Sequence, residues 1–79
     1  MNKKILVLRF SSIGDIVLTT PVIRCLKKQL NAEIHFLTKT SFERILANNP
    51  YIDRLWTFNI TTSEVVAALK QQHFDYVVD

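Results

Sequence analysis

Within six residues, Phe10-Ser11-Ser12-Ile13-Gly14-Asp15, the chain places two hydroxyls, its only glycine and a carboxylate. A carboxylate in such a loop can take a proton from a bound hydroxyl, which is general base catalysis. It can equally accept bonds from the first amides of a following helix, at the end the dipole makes positive. Both readings of Asp15 are open from position alone. The hydroxyls of Ser11 and Ser12 suit the satisfaction of loop backbone. No histidine or acid follows them at the spacing of a nucleophile elbow, so serine hydrolysis is not expected. Gly14 points to a turn, a positive φ or close approach by another group.

Other chemistries find little support. One glycine excludes the Gly-rich dinucleotide fingerprint and the Walker phosphate loop. His35 and His73 are isolated and Cys25 is single, so neither a metal cluster nor an internal disulfide is expected. No Asp-x-Asp pair offers to hold a divalent ion on a sugar nucleotide. Cys25 reads as a small core residue. Trp56, Phe58 and Tyr76 read as core packing rather than as base-stacking platforms, and no nucleic-acid partner is expected. The cations Arg24, Lys27 and Lys28 share a helical face, which reads as a solvated stripe or as a contact for anionic lipid headgroups.

Four short apolar runs must position this loop. They are Ile5-Leu8, Ile34-Leu37, Leu55-Phe58 and Tyr76-Val78, each rich in β-branched, aliphatic or aromatic residues. Three helical stretches separate them. The first runs from Asp15 to about Leu30, with Ile16, Ile23, Leu26 and Leu30 at core-facing spacing. The second opens on the capping-box pattern Thr40-Ser41-Phe42-Glu43 and stops before Asn48-Asn49-Pro50. The third opens on Thr61-Thr62-Ser63-Glu64, with Ile60 and Val65 at staple positions, and ends near Gln72.

The order β-α-β-α-β-α-β implies an α/β fold with a parallel sheet and right-handed crossovers. The expected strand order is 3-2-1-4, with the third helix on the opposite face from the first two. Ligands of such sheets bind at the carboxyl ends of the strands, where strand order reverses, which is beside the loop at residues 10–15. Pro21 conflicts with a regular first helix. A single kinked helix is expected, because a start at Thr20 would strand Ile16 and Val17 in a loop.

The chain has 79 residues, 48% apolar and 22% charged, which is a globular balance. Its basic charge is concentrated: residues 1–28 hold six bases against one acid, and the rest hold four bases against six acids. The apolar run Ile5-Leu8 is too short for a signal-peptide core or a membrane span, so a cytoplasmic protein is the expectation.

The run Arg9-Phe10-Ser11-Ser12-Ile13-Gly14-Asp15, followed by Thr19-Thr20-Pro21, resembles the opening of the family 9 glycosyltransferases, the bacterial lipopolysaccharide heptosyltransferases. Asn49 to Asp53 and Phe74 to Asp79 extend the resemblance along the chain. It implies an inverting, metal-independent GT-B enzyme with no cofactor. The chain, residues 1–79, would be part of its N-terminal, acceptor-side Rossmann-like domain, without the C-terminal nucleotide-sugar domain. The implied donor is an ADP-heptose-like nucleotide sugar, and the implied acceptor is a lipid-linked saccharide at the inner face of the cytoplasmic membrane. By the same pattern Asp15 matches the catalytic base. Ser11, Ser12, Gly14 and Arg9 match neighbours of the acceptor.

Two departures accompany the resemblance. Members acting on phosphorylated acceptors carry bases after the third strand, where this chain reads Asn59-Ile60-Thr61-Thr62. No residue here supplies a donor site. Two other readings compete: a small interaction module using the open edge of the fourth strand, and a nucleotide-binding half-Rossmann domain. The second lacks the acid usual after strand two, where Thr38 and Lys39 stand.

Overall fold

The computed structural model describes residues 3–10 and 12–79. Ser11 therefore lies outside the described residues. The elements are β1 (Lys4–Leu8), α1 (Ile13–Leu30), β2 (Glu33–Lys39), a 3-10 turn (Thr40–Phe42), α2 (Glu43–Leu46), β3 (Arg54–Phe58), α3 (Ser63–Lys70) and β4 (Tyr76–Val78). The four strands form one parallel sheet in the order β3-β2-β1-β4. This is the expected fold and strand order.

Strand β1 is apolar from Ile5 to Leu8 because both of its faces are covered. Ile5 and Val7 join Ile34 and Phe36 under Ile16 and Ile23 of α1 and Leu46 of α2. Leu6 faces the other way, with Leu37, Trp56 and Phe58, under Leu69 of α3. Alternation along each strand assigns the faces. The change of face between α2 and α3 makes the sheet doubly wound. Phe36 is wholly buried, and burial of a side chain of that size is worth about 2–3 kcal/mol.

Register is pinned by polar contacts at the strand starts. The Asp75 amide donates to the Lys4 carbonyl at 2.8 Å, and the Lys4 amide donates to the Asp75 carboxylate at 2.8 Å. Buried His35 is satisfied on both ring nitrogens. Trp56 Nε1 donates to its Nδ1 at 2.9 Å, and its Nε2 lies 2.5 Å from the Glu33 carboxylate. The Arg54 guanidinium stacks 4.1 Å above the Trp56 ring centre.

Helix α1 runs unbroken through Pro21. Proline removes the amide that would have bonded the Val17 carbonyl. The Thr20 hydroxyl donates to that carbonyl instead, at 2.8 Å. The helix stops at Asn31, whose φ of 50° is the left-handed conformation of a helix C-cap.

Several expectations need correction. Cys25 is exposed, because the buried stripe of α1 is Ile16, Thr19 and Ile23, and Cys25 lies across the helix from it. Leu30, the last residue of α1, is also exposed, and so is Tyr76 on the sheet edge. The capping box at Thr40–Glu43 does not form: Thr40–Phe42 make a 3-10 turn, and α2, starting at Glu43, is a single turn without a side-chain cap. Phe42 instead packs against the core, and that contact fixes the segment. At α3 the box is carried by Glu64 alone. Its carboxylate accepts the amides of Asn59, Ile60 and Thr61 at 3.1, 2.8 and 3.1 Å, which holds its pKa below the ordinary value.

Candidate active site

Strand β1 ends at Leu8, and the chain turns out of the sheet over its carboxyl edge. The Arg9 amide still bonds the Leu37 carbonyl at 3.2 Å, which ties the departure to β2. Phe10 then sets its ring edge-on against Phe58, with centres 5.1 Å apart. This contact fastens one side of the loop to the α3 face. Ser12 returns in extended conformation as the N-cap residue, and α1 begins at Ile13.

Asp15 is therefore the third helical residue, and it closes a capping box with the N-cap residue Ser12, so the expected cap role is present. Its Oδ2 lies 3.4 Å from the Ser12 hydroxyl and 3.5 Å from the Ser12 amide. Both contacts are long for hydrogen bonds to a carboxylate, and the side chain is exposed. The carboxylate is steered by Ser12 and remains available. Its backbone is held more firmly: the Thr19 hydroxyl, one turn on, donates to the Asp15 carbonyl at 2.7 Å.

Asp15 borders a cavity of about 250 Å³ between α1 and β4. Arg9, Thr19 and Asp79 supply the rest of its polar lining, and Val7, Leu18, Val22 and Val78 supply apolar walls. The cavity opens at the carboxyl ends of β1 and β4, beside the reversal of strand order. An apolar-walled hollow with a carboxylate and a guanidinium at its rim can hold a polyhydroxylated ring. Its faces pack on the aliphatic wall and its hydroxyls meet the charged groups.

Arg9 and Asp15, expected from the sequence, are thus brought to one cavity. Ser12 touches Asp15 without lining the hollow. Gly14 sits in the first turn of α1 with helical geometry, so the expected positive φ is absent. A Cβ there would meet nothing within 4 Å, so the glycine lies under open space. Ser11 lies outside the described residues. Sequence reading missed Thr19 and Asp79. Thr19 follows Asp15 by one helical turn, and Asp79 follows the last strand residue, so both were reachable from spacing and strand-end geometry.

No protein-family model matches the chain. Lipopolysaccharide heptosyltransferase 1 of Campylobacter coli is 34% identical over 68 residues, which cover 85% of this chain and 20% of that protein. The crystal structure of a family 9 glycosyl transferase from Veillonella parvula DSM 2008 superposes with a TM-score of 0.84 at 24% identity. It covers 98% of this chain and 26% of that one. The chain therefore spans about a fifth of the curated relative and about a quarter of the solved one. The sequence likeness is to a lipopolysaccharide heptosyltransferase, and the superposition gives the chain the fold of a family 9 glycosyl transferase.

Proposed function

We propose that this chain forms the acceptor side of an inverting, metal-independent sugar transfer, with Asp15 as general base. The observation that carries the reading is the Asp15 carboxylate: exposed, only loosely held by Ser12, and bordering the cavity at the strand ends. In this mechanism a hydroxyl of a lipid-linked saccharide enters the cavity and donates to Asp15. The carboxylate takes the proton as the oxygen attacks the anomeric carbon of an ADP-heptose-like donor. The nucleoside diphosphate leaves from the opposite face, and the configuration at that carbon inverts. Arg9 and Ser12 orient the acceptor and the base. The donor is bound by residues outside this chain, in a second domain of GT-B arrangement at the cytoplasmic face of the inner membrane.

The test is a chimera in which this chain replaces the matching stretch of the Campylobacter coli relative. Asp15→Asn keeps the shape and the Ser12 contacts and removes the base. Transfer from ADP-heptose should fall by roughly 10²–10⁴-fold, the range typical of a lost general base. The far-ultraviolet circular dichroism should not change. Transfer within twofold of the parent would remove Asp15 from the chemistry.

A further inference from the structure

The largest concavity of the described surface lies away from Asp15, in the groove between α1 and the turn joining α2 to β3. It encloses about 700 Å³, the size of a small-molecule site. It shares no lining residue with the cavity at Asp15. Along α1, Arg24 stands about 14 Å beyond Asp15 by the helical rise.

Three kinds of group meet in the groove. Arg24 and Lys28, one helical turn apart, line it as cations, and no carboxylate borders it. Both are exposed, and neither has an ion-pair partner among the described residues. Lys27 takes no part, since it donates to the Ala32 carbonyl at 2.9 Å and to the Asp53 carboxylate at 2.6 Å. The exposed side-chain amides of Gln29 and Asn48 bring donors and acceptors to the rim. Asn49 adds its amino group, because its Oδ1 already accepts the Tyr51 amide at 2.9 Å. Pro21, Pro50 and Ile45 form an apolar floor, with Ile45 38% exposed.

Each kind of group narrows the ligand. Two unpaired cations one turn apart match a phosphate group. Inorganic phosphate alone would leave the amides and the apolar floor to water. A nucleotide base would need an open aromatic face, and Tyr51, the one ring at the groove, is half-buried against the core. A sugar ring uses what remains: its hydroxyls meet the amides, and its C–H face meets the prolines and Ile45.

We infer that the α1–α2 groove binds a phosphorylated monosaccharide, at a site separate from the cavity at Asp15. The inference goes beyond the sugar-transfer reading and does not rest on it.

The experiment is an amide NMR titration of the chain with glucose 6-phosphate and with mannose 6-phosphate. Inorganic phosphate, glucose and adenosine monophosphate serve as comparisons. Saturable shifts are expected at residues 24–29 and at Asn48, Asn49 and Tyr51, with half-saturation below about 5 mM for one of the sugar phosphates. The three comparison compounds should bind at least about fivefold more weakly, because each lacks one kind of contact. Arg24→Gln with Lys28→Gln should weaken sugar-phosphate binding about tenfold or more, since charged hydrogen bonds are the strong ones. The control Lys3→Gln with Lys70→Gln makes the same change in net charge outside the groove and should weaken it less than about twofold. Gln29→Ala with Asn48→Ala should weaken the sugar phosphates several-fold and leave inorganic phosphate unchanged. No saturation by about 20 mM of either sugar phosphate would overturn the inference. So would inorganic phosphate or adenosine monophosphate binding as tightly, equal losses from the two charge pairs, or shifts centred on residues 12–19. Unchanged thermal melting of the exposed-site variants separates loss of the site from unfolding. The titration does not involve Asp15 and the transfer assay of the chimera does not involve the groove, so the two readings fail separately.

Discussion

Lys27 Nζ lies 2.6 Å from Asp53 Oδ2, across the gap between the last turns of α1 and the start of β3. The same Asp53 oxygen accepts the Ile34 amide at 2.7 Å, while the Asp53 amide donates to the Ile34 carbonyl at 2.8 Å. One carboxylate thus joins α1, β2 and β3. Partial desolvation pushes its pKa up, but the Lys27 hydrogen bond and the Ile34 amide outweigh that and hold it below the ordinary value of 3.8.

Replacement of Asp53 should divide this joint into its parts. Asp53→Asn keeps an acceptor for Ile34 and loses the charge, at a cost of about 0.5–1 kcal/mol given the solvent around the pair. Asp53→Ala loses both and should cost about 1–3 kcal/mol. Urea denaturation of the two variants reads the difference. Equal destabilisation would mean that the Ile34 amide finds water as readily as it finds Asp53.

Gly14 separates stability from function. Its backbone is helical and a Cβ would stand in open space. Gly14→Ala should therefore stabilise the fold by about 0.5–1 kcal/mol, the usual advantage of alanine in a helix. On the proposed mechanism the open space belongs to the acceptor. The same substitution in the chimera should then raise the acceptor KM several-fold while Tm rises. A higher Tm with unchanged KM would place the acceptor elsewhere.

Glu64 makes the entry to α3 pH-sensitive. Three backbone amides bond its carboxylate and lower its pKa from the ordinary 4.5. A carboxylate whose pKa is lower folded than unfolded binds its proton more readily in the unfolded chain. Its stabilisation is therefore complete above about pH 4.5 and is lost as pH falls through the folded value. Thermal melts of the parent and of Glu64→Gln should differ at pH 7 and converge toward pH 3. A constant gap across that range would mean that the amides bond the neutral side chain equally well.

Much of this architecture is legible in residue order. Unbroken apolar runs such as Ile5-Leu8 can be satisfied only by cover on both faces, and alternation with helices leaves a parallel sheet as the consistent answer. Local signals failed where packing outbid them. Thr40 and Glu43 have the spacing of a capping box, yet burial of Phe42 holds the segment as a tight turn. Cys25 looks apolar in a list of residues and is exposed, because the direction of a helix face depends on where its neighbours lie.

By itself the sequence carried the strand order, the loop that holds Asp15 and the resemblance to a glycosyltransferase family, because these follow from hydrophobic periodicity and from a compact motif. Only the tertiary structure decided which groups meet. It set Arg9, Thr19 and Asp79 around one cavity with Asp15. It drew Lys27 out of the basic stripe to Asp53 and left Arg24 and Lys28 over an apolar groove. The cavity and the Lys27–Asp53 pair each join different elements, so their partners are fixed by how the helices settle on the sheet.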